Sequence, residues 1–364
     1  MRVLHLLNHT RRLNGHVHAA IDLACAQSAL GHTVAMASQG GDFDGLLRAN
    51  AIETFAVSHE RRIGQIIRSL FQLRALIRSW QPDIIHAHMM TSAVLAWPIC
   101  KLAGVPLITT VHNEFEKSAI LMGLGDRVIT VSAAVGRSIE KRGIARSRIH
   151  VVLNGTIGTV RARGRDEHPR MLAQPAIVFV GGLHPRKGLP DLLQAFERVH
   201  RRNGKAHLYI VGGGPFQETY STLASGLSCA SAITFAGAQG DPYPWMLGAD
   251  IFALPSHADP APLVLSEARE AGCAIVATSV DGIPELLEQG RAGILVPPHD
   301  PEAMADALLS LIDQPETLRA WKEKSQVNID HMRIDRVAQE TLAVYALARQ
   351  RRSSPVAMSD RSRA

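Results

Sequence analysis

Cysteine is scarce in this chain of 364 residues: Cys25, Cys100, Cys229 and Cys273 lie far apart, and none belongs to a Cys-x-x-Cys pair. That spacing excludes a disulfide framework and a cysteine-based zinc site. Each cysteine sits among apolar or small residues, so buried free thiols in a reducing compartment are expected. Aromatic residues are also few, at 5%. With positive charge spread along the chain rather than clustered, that argues against a nucleic-acid binder. No apolar run reaches the ~18 residues of a membrane span. The opening Met1 to Asn8 turns polar too soon for a signal peptide, and a cytoplasmic protein is expected. Two phosphate-binding fingerprints are missing as well. No G-x-G-x-x-G follows the first apolar run, which disfavours a nicotinamide-dependent dehydrogenase. No glycine loop ends in the Lys-Ser or Lys-Thr of a P-loop.

What remains is a globular balance, 46% hydrophobic and 20% charged, in a length that accommodates two domains of ordinary size. The formal charge of +6 favours anionic partners such as nucleotide phosphates or acidic lipid. Short apolar runs alternate with helical patterns. Val3 to Leu7, Thr33 to Ala37, Ile84 to Ala87, Leu107 to Val111 and Val128 to Val131 read as strands. Between the first two, Val17, Ile21, Leu23, Ala24 and Leu30 have helical spacing, stopped by Gly31. Ile63, Ile66, Ile67, Leu70, Leu73, Ile77 and Trp80 form one helical face. This alternation predicts a parallel sheet covered on both faces.

A polar segment from Arg161 to Pro175 breaks the pattern and is expected to be a linker. The alternation then restarts with Ala176 to Val180, Leu208 to Val211, Ile251 to Leu254 and Ile275 to Thr278, each followed by a Gly- or Pro-rich loop. The expected fold class is therefore α/β with two doubly wound parallel-sheet domains, residues 1–160 and 176–332. A final helix at 333–349, possible partner of the first domain, precedes a polar tail at 350–364 that is expected to be disordered.

Ligands of open α/β sheets bind at the carboxyl edge of the strands, and the loops there carry the chemistry. Gly181-Gly182-Leu183-His184-Pro185-Arg186-Lys187-Gly188 combines close backbone approach with two cations. It suits a diphosphate, or is a basic surface turn. Gly212-Gly213-Gly214-Pro215 can lie under a base or ribose, or is a plain tight turn. Asp259 and Glu267 have seven residues between them, and Glu267, read at a helix start, suits a ribose diol. Alone, they also read as surface carboxylates. His86 and His88 share a strand face, which makes a metal pair conceivable, although no carboxylate or cysteine completes it. His112 is either structural or catalytic. The basic helix from Arg61 to Arg78 either touches acidic lipid or buries its stripe on the sheet.

The order of these elements resembles glycosyltransferase family 4, whose members are retaining nucleotide-sugar enzymes with the GT-B fold. The first half contributes Leu30-Gly31-His32-Thr33-Val34, Pro82-Asp83-Ile84-Ile85-His86-Ala87-His88, Thr110-Val111-His112-Asn113 and Val152-Leu153-Asn154-Gly155. The second contributes Val180-Gly181-Gly182-Leu183 with Lys187-Gly188, Ile210 to Pro215, Leu254-Pro255-Ser256, Glu267-Ala268 and Gly282-Ile283-Pro284-Glu285. The resemblance implies two domains facing a cleft and transfer of a hexose-type sugar, with retention, to a glycan, lipid-linked or small-molecule acceptor. It implies that Lys187 contacts the donor diphosphate, Glu267 the ribose, Asp259 the donor sugar, and His112 the sugar and acceptor side. Asn14-Gly15 matches a Gly-Gly loop near the diphosphate. Arg186 and the amides of Leu263 and Val264 supply further donors. No metal or cofactor is implied. A polysaccharide pathway and peripheral contact with the inner face of the membrane are family-level expectations.

Four departures stand out. Gly182 occupies the usual place of an arginine that pairs with the lysine. Asn14 replaces a glycine. Asp259 is shorter than the usual glutamate. Pro260-Ala261-Pro262 replaces a Gly-Phe-Gly-like segment, removing amide donors. They leave open a non-catalytic sugar-nucleotide or glycan-binding subunit as the alternative.

Overall fold

The computed structural model describes residues 1–12, 14–58 and 63–353. The chain forms two compact units: Met1–Arg161 together with the segment from Arg333, and Ala162–Met332.

The first unit holds a seven-stranded sheet: β1 (Arg2–Leu6), β2 (Thr33–Ser38), β3 (Glu53–Ala56), β4 (Ile84–Ala87), β5 (Leu107–Val111), β6 (Arg127–Thr130) and β7 (Ile149–Val151). The order is β3-β2-β1-β4-β5-β6-β7, parallel throughout. β4 and β5 are buried at every residue, as a sheet covered on both faces requires. The helices Gly15–Ala29 and Ile334–Ser353 both pack on one face. There Leu23, Ala26, Val337, Val344 and Tyr345 meet Val3, Ile84, Ile108 and Ile129 in one apolar layer. The closing helix thus returns to the first unit. It continues past Arg349, where it was expected to end, and residues 354–364 of the expected tail lie outside the described residues.

The second unit holds six parallel strands: β8 (Ala176–Val180), β9 (His207–Val211), β10 (Ile233–Gly237), β11 (Ile251–Leu254), β12 (Ala274–Thr278) and β13 (Ile294–Val296), in the order β10-β9-β8-β11-β12-β13. The segment expected to be a plain linker is tied down on this unit. Arg165 pairs with Glu270 at 2.9 Å and lies over the Tyr243 ring, while Arg170 lies over Trp245. Arg161 instead pairs with buried Asp22 of the first unit at 2.7 Å.

The amphipathic helix runs Ile63–Trp80, and the expected basic start at Arg61 and Arg62 lies outside the described residues. Leu73, Ile77 and Trp80 are buried as the stripe predicts, but Ile67 is exposed, so only the later turns bury the stripe. None of the four cysteines forms a disulfide, and all four are buried. No helix among the described residues is long and apolar enough to cross a membrane.

Candidate functional site

In each sheet the chain order reverses direction at one place: between β1 and β4 in the first unit, and between β8 and β11 in the second. The carboxyl ends of strands at such a reversal form a crevice that binds ligands in open α/β folds. The residues singled out from sequence gather at these two edges.

In the second unit, the loops after β8, β9 and β11 touch backbone to backbone. Gly212 has φ +141°, and a Cβ on it would sit 1.9 Å from the Gly181 carbonyl oxygen. Gly188 has φ +65°, and its Cβ would meet the Pro255 carbonyl oxygen at the same distance. Only glycine allows both approaches. Leu183 N–H donates to the Gly213 carbonyl, and His257 N–H donates to the Arg186 carbonyl at 2.7 Å, closing the cluster. Gly182 is exposed, with nothing nearer than the Gly213 oxygen to a Cβ built there, at 3.9 Å.

Lys187 and Asp259 meet within this cluster. The ammonium donates to Asp259 Oδ2 at 2.5 Å, with the side chains 15% and 8% exposed. The Asp259 peptide is clamped from the loop after β12: its N–H donates to Asp281 Oδ2 at 2.7 Å, and its carbonyl accepts from Gly282 N–H. Pro260, Ala261 and Pro262 are buried and lead directly into the helix Leu263–Glu270. The amides of Leu263 and Val264 therefore stand at a helix start, where no preceding turn accepts from them. Glu267 is not at that start, as the sequence suggested, but in the second half of the helix, half-buried. The run begins after Pro262, because proline is pre-set for a helix start and has no N–H to lose there.

In the first unit, Asn14 precedes the helix Gly15–Ala29 without capping it by its side chain. His16, in that helix's first turn, has its ring 6.1 Å from the ring of His112, which follows β5. His112 continues inward as a ladder. Its Nε2 lies 3.2 Å from His88 Nδ1, and His88 Nε2 lies 2.9 Å from His5 Nδ1. His5 Nε2 reaches Gln27 Oε1 at 2.8 Å, and Gln27 Nε2 donates to Tyr345 Oη at 3.2 Å. Tyr345 Oη also lies 2.6 Å from His86 Nδ1, whose Nε2 meets Thr110 Oγ1 at 2.7 Å. Strand period explains the convergence: His5 pairs in register with His86, and His88 is two residues further on the same face. Burial disfavours the charged imidazolium and lowers the pKa of the whole group: His5 to about 4, His112 to about 3, and His86 and His88 well below the ordinary value.

Nitrogens of His5, His86 and His88 lie within 4.8 Å of one another, a spacing a metal ion accepts. The sequence reading had paired only His86 with His88. All six of their nitrogens already take part in the hydrogen bonds above. His86 would have to release Tyr345 or Thr110 to ligate. A second triad, Asp191, His257 and His299, meets the same spacing, with His257 Nε2 2.7 Å from Asp191 Oδ2. The sequence reading missed His5, Gln27 and Tyr345. The available signal was a histidine inside the otherwise apolar β1 run.

Two family models match: Glycosyltransferase Family 4 over residues 13–156, and Glycosyl transferases group 1 over residues 174–314. The fold is shared with HepE of Anabaena solved with UDP, at a TM-score of 0.80 and 19% identity over 95% of this chain and 100% of that one. The apo lipopolysaccharide outer core galactosyltransferase WaaB aligns at a TM-score of 0.72 and 16% identity, over 95% and 99%. Among curated relatives, glycogen synthase of Mycobacterium tuberculosis is 29% identical over 329 residues, 83% of this chain and 77% of that protein. A D-inositol 3-phosphate glycosyltransferase of Corynebacterium efficiens is 30% identical over 275 residues, 65% and 64%. The two parallel-sheet units have the GT-B fold. The chain belongs to glycosyltransferase family 4.

Proposed function

We propose that this glycosyltransferase moves a hexose from a nucleoside diphosphate sugar to an acceptor hydroxyl with retention, and that the donor diphosphate is held beside Lys187. The observation that carries this reading is the Lys187–Asp259 pair at the reversal point of the second sheet, enclosed by glycine loops. A diphosphate there would meet the Lys187 ammonium and the amides at the start of the helix Leu263–Glu270, and Arg186 lies on the same loop. The solved relative HepE, described in complexes with UDP and UDP-glucose, supports a nucleotide sugar as the donor class.

In this reading the acceptor oxygen bonds to the anomeric carbon as its bond to the leaving phosphate breaks. The acceptor proton passes to that phosphate. The protein's part is to position both substrates and stabilise the developing negative charge. Lys187 serves that charge, Glu267 is assigned to the ribose, and Asp259 faces the sugar. His112, with Asn14 and Gly15, is assigned to the acceptor side. The reading needs no resident metal or cofactor for the transfer. Glycan or lipid-linked acceptors fit a peripheral membrane contact through the helix Ile63–Trp80. There Ile67 and Phe71 are exposed on a helix that also carries Arg68, Arg74 and Arg78.

The test is a thermal-shift and turnover panel of UDP-, GDP- and ADP-hexoses on wild type and Glu267→Ala. One donor series should raise the melting temperature and be consumed with a suitable acceptor, and Glu267→Ala should lose most of that shift. Stabilisation without consumption would support the non-catalytic subunit instead. A shift that survives Glu267→Ala would remove Glu267 from the site.

A further inference from the structure

The ladder of the first unit determines where its protons are, because each member has a fixed donor and acceptor capacity. With all four imidazoles held neutral by burial, each ring has one N–H and one lone pair. Gln27 turns its carbonyl to His5 and its amide to Tyr345. His5 must then carry its proton on Nε2, which leaves Nδ1 as an acceptor. His88 must donate to that Nδ1 from Nε2, and its own Nδ1 accepts. His112 must in turn donate from Nε2. The other branch agrees. Tyr345 accepts from the Gln27 amide and can give its own proton to His86 Nδ1, with His86 then donating from Nε2 to Thr110, although the Tyr345 hydroxyl can equally accept from His86. Seven groups satisfy one another with no conflict, and the sense of the His5, His88 and His112 branch follows from the orientation of one amide.

We infer that Gln27, His5 and His88 are positioning residues that hold His112 in its Nε2–H form, so that His112 offers Nδ1 to the site as a hydrogen-bond acceptor for a hydroxyl-bearing ligand. His112 is the one half-exposed imidazole of the four, and its Nδ1 has no partner among the described residues. Tyr345 lies at the far end, on the closing helix, and bonds the Gln27 amide. That gives the helix at the end of the chain a role in the chemistry at the carboxyl edge of β5, beyond covering the sheet. His112 then orients a hydroxyl rather than removing its proton, since burial leaves it a weak base. Its assignment to the acceptor side rests on the proposed function above, whereas its tautomer does not.

Along the branch from Gln27 through His5 and His88 to His112, only two arrangements satisfy every bond. If the Gln27 amide were reversed, each step would reverse with it: His5, His88 and His112 would all carry the proton on Nδ1, and His112 would offer a donor. The experiment is a long-range proton–nitrogen NMR correlation on the ligand-free, full-length protein with 15N-labelled histidine, which reads which ring nitrogen carries the proton. His5, His88 and His112 should show the Nε2–H pattern at neutral pH. An Nδ1–H pattern at His112 would overturn the inference. Gln27→Leu removes the anchor and should convert His112 from one tautomer to a mixture, although Gln27 does not touch it. Tyr345→Phe should do the same to a smaller extent, and serves if Gln27→Leu does not fold. A His112 signal unchanged in a folded variant of either kind would show that the ladder does not set it. These readouts need no substrate, so they stand or fall apart from donor turnover.

Discussion

Lys187 and Asp259 come from loops after different strands, yet their charged ends meet at 2.5 Å with most of both side chains out of water. Asp259 therefore holds the cation that the proposed reading assigns to the donor phosphates. A diphosphate must compete with the carboxylate for the same ammonium. The two partners should accordingly respond in opposite directions. Lys187→Ala should weaken binding of the stabilising nucleoside diphosphate by about 10- to 100-fold, the worth of a charged hydrogen bond of roughly 1.5–3 kcal/mol. Asp259→Asn should free the lysine and tighten the same ligand several-fold, while slowing sugar transfer. Calorimetric titration of both variants checks this. Equal weakening in both would mean that Asp259 organises the site rather than competing within it.

Gly182 leaves room for a second cation. Its backbone is not among those with positive φ, and a Cβ there meets nothing closer than 3.9 Å. Gly182→Arg should therefore fold normally and add a guanidinium beside Lys187. Diphosphate affinity should rise by about tenfold or more, since a bidentate guanidinium–phosphate contact is among the stronger polar interactions. An unchanged melting temperature with unchanged affinity would show that phosphate does not lie over this loop.

The histidine ladder makes the first unit sensitive to acid. Unfolded histidine binds its proton near pH 6.5, whereas folded His5 binds it only at about 4 and His112 at about 3. Between those values the unfolded chain holds more protons, so stability falls as pH falls. His5, which is fully buried, contributes on the order of 3 kcal/mol of this loss by pH 4. Urea midpoints measured from pH 7.5 down to pH 4.5 should drop steadily below about 6.5, and His5→Asn should start less stable but decline less steeply. A midpoint independent of pH across that range would contradict the buried neutral assignment.

The central strands were legible because burial on both faces makes them continuous apolar runs. β1, β2, β4, β5 and β6, and then β8, β9, β11 and β12, were each anticipated to within a residue or so at the ends. The strands not anticipated, β3, β7, β10 and β13, are the edges of the two sheets. β3 and β10 are partly exposed along their length, so no unbroken apolar run marks them. The glycine loops were readable as candidates, because backbone crowding at Gly188 and Gly212 admits no other residue. The Lys187–Asp259 bond was not, since nothing in the spacing of residues 187 and 259 says that the loops after β8 and β11 converge. Only the strand order does. The ladder was hidden for the same reason, with Gln27, His86 and Tyr345 drawn from three distant segments.

Arg269 shows how the helix bearing Leu263, Val264 and Glu267 is held. Its guanidinium is fully buried and donates to the carbonyls of Ser325, Leu286 and Val327 and to Glu288 Oε1, at 2.6–2.9 Å. One side chain thus ties the helix Leu263–Glu270 to the loop before β13 and to the end of the second unit. Arg269→Ala would strand three carbonyls, those of Ser325 and Leu286 on buried residues, and a carboxylate that is 11% exposed. The expected loss is about 3–5 kcal/mol, by analogy with breaking a buried pair. In a unit of this size that corresponds to roughly 10 °C or more in melting temperature. Glu288→Gln should cost less, because the three carbonyl bonds survive and the amide oxygen can still accept. Differential scanning calorimetry of the two variants gives the ordering. If Arg269→Ala melts within a degree or two of wild type, this anchor is redundant, and the position of Glu267 must be set by the buried Pro260-Ala261-Pro262 segment instead.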